Sequence, residues 1–201
     1  PYGEGGPIQG MLELAGVPYV GSGVLGSAAG MDKPTMKKIF AHHNLPQVKW
    51  GALTSKQWAK NRETWIEEIE TSLGFPCFVK PANLGSSVGI GKAENAEELS
   101  DALDTASHFD RRIIVEEGVN AREIEVSVLG NENPDISVPG EILIKKEGFY
   151  DYEAKYVEGG MELLAPAPIR DETTQEIRRI ASTAYEAARA AFEIPPESWA
   201  G

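Results

Sequence analysis

The 201-residue sequence is 41% hydrophobic, 25% charged and 8% aromatic, a composition that supports a folded core and excludes a disordered or collagen-like chain. The length fits one complete domain or two small ones, at about 100 to 200 residues per domain. Acidic residues outnumber basic residues by 31 to 19, and no run of Lys or Arg is longer than two residues. Because a chain with this charge repels the phosphates of a nucleic acid, we expect no nucleic-acid partner.

Cys77 is the only cysteine, so the chain cannot form an internal disulfide. It lies in the apolar run 75–79, where a buried and unreactive thiol is expected. No stretch approaches the roughly 18 apolar residues that a membrane helix needs, and the N-terminus lacks a secretory signal pattern. These features predict a cytoplasmic protein in a reducing compartment, with no membrane partner.

The spacing of apolar residues and the positions of Gly and Pro predict interleaved helices and strands. Asp32 is a typical helix N-cap, and the alternation of polar and apolar residues after Arg122 indicates a sheet with one wet face. We therefore expect a mixed α+β fold in which neighbouring strands are antiparallel. The expected elements are, in chain order, a helix over 8–15, a strand over 18–20, a loop over 21–30, a helix over 32–43, a strand over 47–53, a helix from 54 or 55 to 74, strands over 75–80 and 87–92, a helix over 93–107, strands over 111–117, 122–129 and 136–146, a loop over 148–161 and a helix from 171.

Apolar stripes on two of these helices predict which faces are buried. The last helix carries such a stripe at Ile177, Ile180, Ala184, Ala188 and Ala191. The helix after residue 54 carries another stripe, at Trp58, Trp65, Ile66, Ile69 and Leu73. This stripe assigns two of the four tryptophans to the core. His42 and His43 have no Cys or His at ligand spacing, so a surface or capping role is favoured over metal binding. The basic pair Arg178 and Arg179 is expected on the solvent-facing side of the last helix.

The strongest local motif is the segment Lys80-Pro-Ala-Asn-Leu-Gly-Ser-Ser-Val-Gly89, in which a strand ends on a lysine and a loop of small residues returns into a second strand. Such a loop can direct several backbone N–H groups to one anion, with a cation at its base, and so indicates a phosphate clamp. It differs from a Walker loop, because the lysine precedes the glycines. A hairpin turn with a solvated lysine is about equally favoured on the motif alone.

Two further segments hold polar groups that a nucleotide site needs. In Val115-Glu-Glu-Gly-Val-Asn-Ala-Arg-Glu123, two carboxylates flank a short turn and could accept hydrogen bonds from an amine and a ribose hydroxyl. A hairpin with solvated acids is the favoured alternative for this segment alone. In Phe149-Tyr-Asp-Tyr-Glu-Ala-Lys-Tyr156, the aromatics could form a lid that brings Lys155 to a phosphoryl group and Tyr156 to a reactive group. A structural loop that covers an edge strand is equally favoured there.

Five segments, taken together and in order, resemble the D-alanine:D-alanine ligase family of the ATP-grasp superfamily. The resemblance extends over about residues 1–192, and the Ser-Ser-Val-Gly and Tyr-Glu-Ala-Lys-Tyr sequences within it are specific to this family. The segments are Gln9-Gly-Met-Leu-Glu-Leu-Ala-Gly-Val-Pro-Tyr-Val-Gly-Ser-Gly23, Met31-Asp-Lys33, Phe78-Val-Lys-Pro-Ala-Asn-Leu-Gly-Ser-Ser-Val-Gly-Ile90, Arg122-Glu-Ile-Glu-Val-Ser-Val-Leu-Gly130 and Tyr150-Asp-Tyr-Glu-Ala-Lys-Tyr156.

The resemblance implies an ATP-grasp fold, in which two α+β lobes enclose ATP. It divides the chain into a remnant of an N-terminal substrate domain over 1–30, a central lobe over 31–116 and part of a C-terminal lobe over 117–201. Family members join two D-alanines with ATP to give D-alanyl-D-alanine for peptidoglycan. The first carboxylate accepts the γ-phosphoryl group, and the amine of the second amino acid attacks the acyl phosphate.

The resemblance also implies roles for particular residues. Lys33, Lys80 and Lys155 would contact phosphates, Glu116 the adenine amino group and Glu123 the ribose. The catalytic positions would be Ser86, Tyr156, Lys155 and Glu4. The full set of implied nucleotide contacts is Lys33, Lys80, Ser86, Ser87, Glu116, Glu117, Val119, Glu123 and Lys155.

The sequence departs from the family pattern at both ends. The N-terminal domain that contributes one glutamate is expected before Pro1, and the carboxylates that hold Mg²⁺ are expected after Gly201, so no metal ligand is assigned here. The ending over 193–201 does not match the expected strand. We therefore expect a partial chain with little or no ligase activity of its own. A nucleotide-binding fragment without catalysis and a D-alanine:D-serine ligase remain alternatives, and a homodimer stays open; Tyr156 argues against a lactate-using relative.

Overall fold

The computed structural model describes residues 2–144 and 161–190, with side chains to Ala188 in the last helix. Within these residues helices and strands interleave, as expected for a mixed α+β chain, and no helix there is both long and apolar enough to cross a membrane. The elements are α1 (Pro7–Leu14), α2 (Val24–Met31), α3 (Lys33–His42), β1 (Trp50–Thr54), α4 (Ser55–Lys60), α5 (Arg62–Ser72), β2 (Cys77–Pro81), β3 (Gly91–Ala93), α6 (Ala96–Phe109), β4 (Arg112–Glu117), β5 (Glu123–Glu125), β6 (Val128–Leu129), β7 (Asp135–Ile136), β8 (Gly140–Ile144), β9 (Met161–Leu164) and α7 (Asp171–Ala190).

The chain forms two compact units, and each unit combines segments that are far apart in the sequence. Unit 1 comprises residues 1–46, 126–139 and 169–201, and unit 2 comprises residues 47–125 and 140–168. Each unit is described below by itself. The division into three parts that the family resemblance implies stays a prediction.

Unit 2 contains a four-stranded antiparallel sheet with the order β1-β4-β2-β3. One face of this sheet packs against α4, α5 and α6, and their side chains form the core of the unit. Because successive side chains in a strand point to opposite faces, Phe78, Lys80, Ile114 and Glu116 lie on the other face. The buried members of the core are Leu53, Trp58, Ile69, Cys77, Val79, Ala93, Leu99, Ala102, Leu103, Ala106, Ile113 and Val115.

Two helices of unit 2, α4 and α6, follow residues whose side chains cap backbone N–H groups. Thr54 accepts a hydrogen bond from the N–H of Gln57, and Asn95 accepts one from the N–H of Glu98. The expected single helix over 54–74 is wrong in one respect, since Asn61 leaves the helical conformation and separates α4 from α5. The predicted apolar stripe is confirmed, because all five of its residues belong to the core or pack against it.

Unit 2 also contains a three-stranded antiparallel sheet with the order β5-β8-β9. The continuous strands expected over 122–129 and 136–146 are each broken in two, because the stretch 126–139 leaves this sheet and forms the β6–β7 hairpin of unit 1. Pro139, which has no N–H to donate to a neighbouring strand, lies immediately before β8.

Unit 1 contains α1, α2, α3, α7 and the β6–β7 hairpin. The strand expected over 18–20 does not form, and the stretch 21–30, expected to be a loop, contains α2. The small residues of α2 allow close packing against α3 and α7, and this packing outweighs the weak helix preference of glycine. The last helix begins at Asp171, as expected, and Arg178 and Arg179 are exposed.

Candidate nucleotide site

The loop over 82–90 connects the antiparallel strands β2 and β3, as the motif predicts, but the second strand begins at Gly91 and not at residue 87. Ser86 and Ser87 both adopt positive φ angles, of 52° and 59°, a conformation that costs an L-residue about 1 kcal/mol or more. The N–H of Val88 donates to the carbonyl of Gly85 at 3.1 Å, and the N–H of Ile90 donates to that of Ser87 at 3.2 Å. The loop is therefore a tight double turn that presents Ser86 at the surface.

Lys80 lies on β2, two residues before this loop, and pairs with Glu116 on the neighbouring strand β4. The two residues are diagonal neighbours on one face of the sheet, since Lys80 lies opposite Ile114 and Phe78 lies opposite Glu116. The side chain of Glu116 is 11% exposed and that of Lys80 is 24% exposed. Lys80 and Glu116 thus pair with each other instead of being solvated, whereas Glu123 is exposed, as the alternative of solvated acids predicts.

Strand β4 continues past Glu116 to Glu117. Glu117 extends the contact with the segment before β1, because its N–H donates to the carbonyl of Lys49 at 3.0 Å and its carboxylate accepts from the N–H of Lys49 at 2.7 Å. The N–H of Gly118 donates to the carbonyl of Pro76 at 2.7 Å. Val119 follows with an exposed side chain. The carboxylate of Glu117 therefore contacts the backbone of its own unit, a contact between segments far apart in the sequence.

Glu123 begins β5 and has an exposed side chain. The expected hairpin between the two acids does not form, because β4 and β5 belong to different sheets. Arg122, the preceding residue, makes a bidentate ion pair with Glu141 on β8, with two N–O distances of 2.6 Å, and also donates to the carbonyl of Pro168 at 3.3 Å. The hydrogen bonds from Arg122 hold the pKa of Glu141 below its ordinary value. Strand β5 is therefore fixed to β8 beside the Glu123 side chain.

The two implied residues of unit 1 have definite local settings. Lys33 is the first residue of α3, directly after the N-cap Asp32, whose carboxylate accepts from the N–H of Thr35 at 2.9 Å. Glu4 is exposed in the turn before α1. The buried side chain of Gln9 stabilises this turn, since it accepts from the N–H of Gly6 at 3.1 Å and donates to the carbonyl of Gly3 at 3.2 Å.

Unit 2 thus contains most of the nucleotide contacts that the resemblance implies, while Lys155 and Tyr156 lie outside the described residues. Sequence reasoning did not find Lys49 or Glu141, because their contacts join segments far apart in the chain. Arg122 stood within a family segment but without an assigned role. Among residues 2–144 and 161–190, no group of three or more His, Cys, Asp or Glu side chains could hold a metal ion.

Comparison with known proteins gives a consistent result. Residues 39–191 match the family model described as the D-ala D-ala ligase C-terminus. The D-alanine--D-alanine ligase of Bacillus cytotoxicus is 56% identical over 187 residues, which are 93% of this chain and 51% of that protein. The D-alanine--D-alanine ligase of Heliobacterium modesticaldum is 54% identical over 187 residues, with coverages of 93% and 51%. The chain spans about half the length of these relatives.

Solved structures agree with the sequence relatives. The VanG D-Ala:D-Ser ligase of Enterococcus faecalis superposes with a TM-score of 0.81 at 36% identity, over 92% of this chain and 53% of that one. The D-alanyl-alanine synthetase A of Vibrio cholerae superposes with a TM-score of 0.79 at 32% identity, over 93% and 56%. The fold is therefore that of the ATP-grasp ligases. Within that class, the chain belongs to the D-alanine:D-alanine ligase family.

Proposed function

We propose that this chain is the nucleotide-binding part of a D-alanine:D-alanine ligase, which joins two D-alanines with ATP through an acyl phosphate. The observation that carries the proposal is the contact between Lys80 and Glu116 on the sheet face opposite the helical core. An amine donor and a carboxylate acceptor lie together there, beside a loop with a strained backbone. A structural hairpin does not require either feature.

The donors and acceptors of unit 2 fit the chemistry of ATP. Lys80 supplies a positive charge for the phosphates, and the backbone of the loop over 82–90 supplies N–H groups. Glu116 accepts from the amino group of adenine, and the exposed carboxylate of Glu123 accepts from the ribose hydroxyls. Glu117 and Val119 lie between them, where their backbone can meet the edge of the base. In this proposal Lys33, Lys155 and Ser87 complete the phosphate contacts.

The residues of the chain serve the reaction by neutralising charge and by excluding water. ATP supplies the γ-phosphoryl group that activates the first carboxylate, and the cations of the site offset the repulsion between its oxygens and that carboxylate. Ser86, Tyr156 and Glu4 would fix the substrates, and the segment around Lys155 would shield the acyl phosphate from water. The Mg²⁺ that this chemistry uses would be held by residues of the whole protein that lie C-terminal to these 201 residues. The reaction would take place in the cytoplasm, where peptidoglycan precursors are made.

Calorimetric titration of the 201-residue chain with ATP tests the proposal. We expect saturable binding, which Lys80→Met weakens at least about tenfold because a charge-assisted contact to phosphate is lost. The matched control is Lys92→Met on β3, whose ammonium pairs with the exposed Glu94. Equal affinities of the wild-type, K80M and K92M chains, or no saturation at millimolar ATP, would refute the nucleotide site.

Release of ADP in the presence of D-alanine and Mg²⁺ separates the ligase from the second candidate, a nucleotide-binding fragment without catalysis. The sequence-based expectation is ATP binding with little or no ADP release by these 201 residues. Turnover close to that of a complete ligase would contradict that expectation. The structural likeness to a D-Ala:D-Ser ligase is the reason to include D-serine beside D-alanine in the same assay.

A further inference from the structure

The backbone of the loop over 82–90 needs support from outside the loop. Ser86 and Ser87 are left-handed, and so is Gly89, with a φ of 72°. Two non-glycine residues in this conformation are costly and persist only where surrounding contacts determine them. The two short hydrogen-bonded turns within the loop do not reach its first residues. The N–H of Ala82, the first residue of the loop, donates to the carbonyl of Arg112 at 3.0 Å, so neighbouring elements hold this end of the loop.

The beginning of the loop is held by Asp110, the residue that follows α6. Its Oδ2 atom accepts from the backbone N–H of Asn83 at 2.9 Å and from the side-chain amide of Asn83 at 3.1 Å. Its Oδ1 atom accepts from the N–H of Arg112, at the start of β4, at 3.0 Å. One carboxylate thus joins the loop to the strand that carries Glu116. A carboxylate can accept hydrogen bonds at both of its oxygens, whereas the amide of an asparagine would present a donor at one of the two positions.

The end of the loop is held by Phe109, the last residue of α6. A Cβ atom added to Gly89 would lie 2.7 Å from Cδ2 of Phe109 and 2.9 Å from Cγ of Pro81. The loop therefore passes so close to the ring that only glycine fits. The two ends of the loop rest on two consecutive residues at one end of α6.

We propose that Asp110, supported by Phe109, is a positioning residue of the nucleotide site. It holds Ser86 and Ser87 in the conformation that presents the loop to the phosphates, and it acts through Asn83 without touching the nucleotide. The proposal rests on the proposed function for its ligand, whereas the anchoring of the loop is a property of the chain alone. Loss of the Asp110 carboxylate loosens the loop more than it loosens α6. It lowers the affinity for ATP, whose phosphates meet the loop, but not the affinity for adenosine, which has no phosphate.

Hydrogen exchange of the nucleotide-free chain tests the anchoring. In Asp110→Ala, we expect the amides of 83–90 to exchange about tenfold faster or more, in keeping with the loss of hydrogen bonds to a charged group, while those of 97–106 in α6 keep their protection. The matched control is Asp101→Ala, which removes an exposed carboxylate from the same helix. Asn83→Ala removes the side-chain amide alone and serves if Asp110→Ala does not fold. Equal acceleration in 83–90 and in 97–106 would mean that Asp110 only stabilises the unit, and would overturn the proposal.

Titrations of each variant with ATP and with adenosine, followed by nuclear magnetic resonance, test the consequence for the ligand. We expect Asp110→Ala to weaken ATP binding about tenfold and adenosine binding less than about twofold. An equal loss for both ligands would contradict positioning through the phosphate loop. If the wild-type chain binds no ATP, the proposed function fails, and hydrogen exchange still decides whether Asp110 anchors the loop.

Discussion

The carboxylate of Glu116 contacts the ammonium group of Lys80 across two neighbouring strands, although the two residues are 36 positions apart in the sequence. The family resemblance implies that they meet opposite ends of one nucleotide, the adenine and the phosphates. Their contact means that the residues implied for the adenine and for the phosphates form one ion pair on the sheet. In the proposed site, a phosphate that approaches Lys80 would compete with this carboxylate, so the strength of the pair would set part of the nucleotide affinity.

The Lys80–Glu116 pair is expected to stabilise the fold as well. In Lys80→Met the carboxylate of Glu116, which is 11% exposed, loses its ion pair with Lys80, and we expect a loss of about 2 kcal/mol in the free energy of unfolding. Glu116→Gln in the same chain removes the negative charge that Lys80 offsets and restores part of the loss. Urea denaturation of the two single variants and the double variant measures the coupling. Additive losses would show that the two side chains do not interact. The control is Lys92→Met, which removes a more exposed ion pair with Glu94 and should change the free energy of unfolding little.

Gly118 is expected to tolerate no side chain. A Cβ atom there would lie 2.6 Å from the carbonyl oxygen of Pro76, which is backbone and cannot rotate away. We expect Gly118→Ala to destabilise the chain by about 1 to 3 kcal/mol and to weaken ATP binding, since the segment that leads from β4 to Glu123 must shift. The control is Gly51→Ala in β1, where nothing lies within 4 Å of an added Cβ. Equal melting temperatures for G118A and G51A would contradict the close approach.

Asp104 on α6 is expected to make stability depend on pH in the acid range. It accepts from the indole N–H of Trp58 and from the guanidinium of Arg62, each at 2.8 Å, and Arg62 lies 4.8 Å from the centre of the Trp58 ring. Partial burial acts to raise the pKa of Asp104, but the hydrogen bonds from Arg62 and Trp58 outweigh it and lower the pKa below its ordinary value. The stabilisation is therefore complete above about pH 4 and is lost as the pH falls through the lowered pKa.

The measurement is the melting temperature of the wild-type chain and of Asp104→Asn between pH 7 and pH 2. We expect the variant to be less stable by about 1 kcal/mol at pH 7, a modest loss because Asp104 is partly exposed, and the difference to shrink toward pH 2. Asp101→Asn, exposed on the same helix, should follow the wild type throughout. A difference that is constant with pH would contradict the lowered pKa.

Cys77 is expected to resist thiol reagents in the folded chain. It is fully buried in β2, and burial raises the pKa of its thiol to about 11, so that almost no thiolate is present at pH 8. We expect iodoacetamide to modify the native chain at least about a hundredfold more slowly than the chain unfolded in guanidinium. The unfolded chain is the control, because the sequence has no second cysteine for comparison. Mass spectrometry follows the reaction. Equal rates in the two conditions would mean that β2 opens readily.

Local signals in the sequence were enough to place the core strands of unit 2. The apolar run 75–80 predicts a strand and the structure has Cys77–Pro81, and the run 111–117 predicts one where the structure has Arg112–Glu117. The buried stripe with Trp58 and Ile69 also followed from helical spacing. These predictions are confirmed because the period of a strand or a helix, and the turn residues that bound it, act over a few neighbouring residues.

Other features depended on contacts between distant segments. The stretch 21–30 is rich in small residues with little local preference, and α2 forms within it where it packs against α3 and α7. The break at Val126 likewise depends on which sheet each half joins.

The sequence by itself determined the family of this chain and the buried stripe of α4 and α5, whereas the residues that the resemblance implies for ATP stay a prediction. Only the tertiary structure decided that β4 lies between β1 and β2, which brings Glu116 to Lys80, and that the end of α6 lies beside the loop over 82–90, which brings Asp110 to Asn83. The physical reason is that strand order and loop anchoring are set by the packing of the whole unit, whereas residue identity and periodicity are local properties.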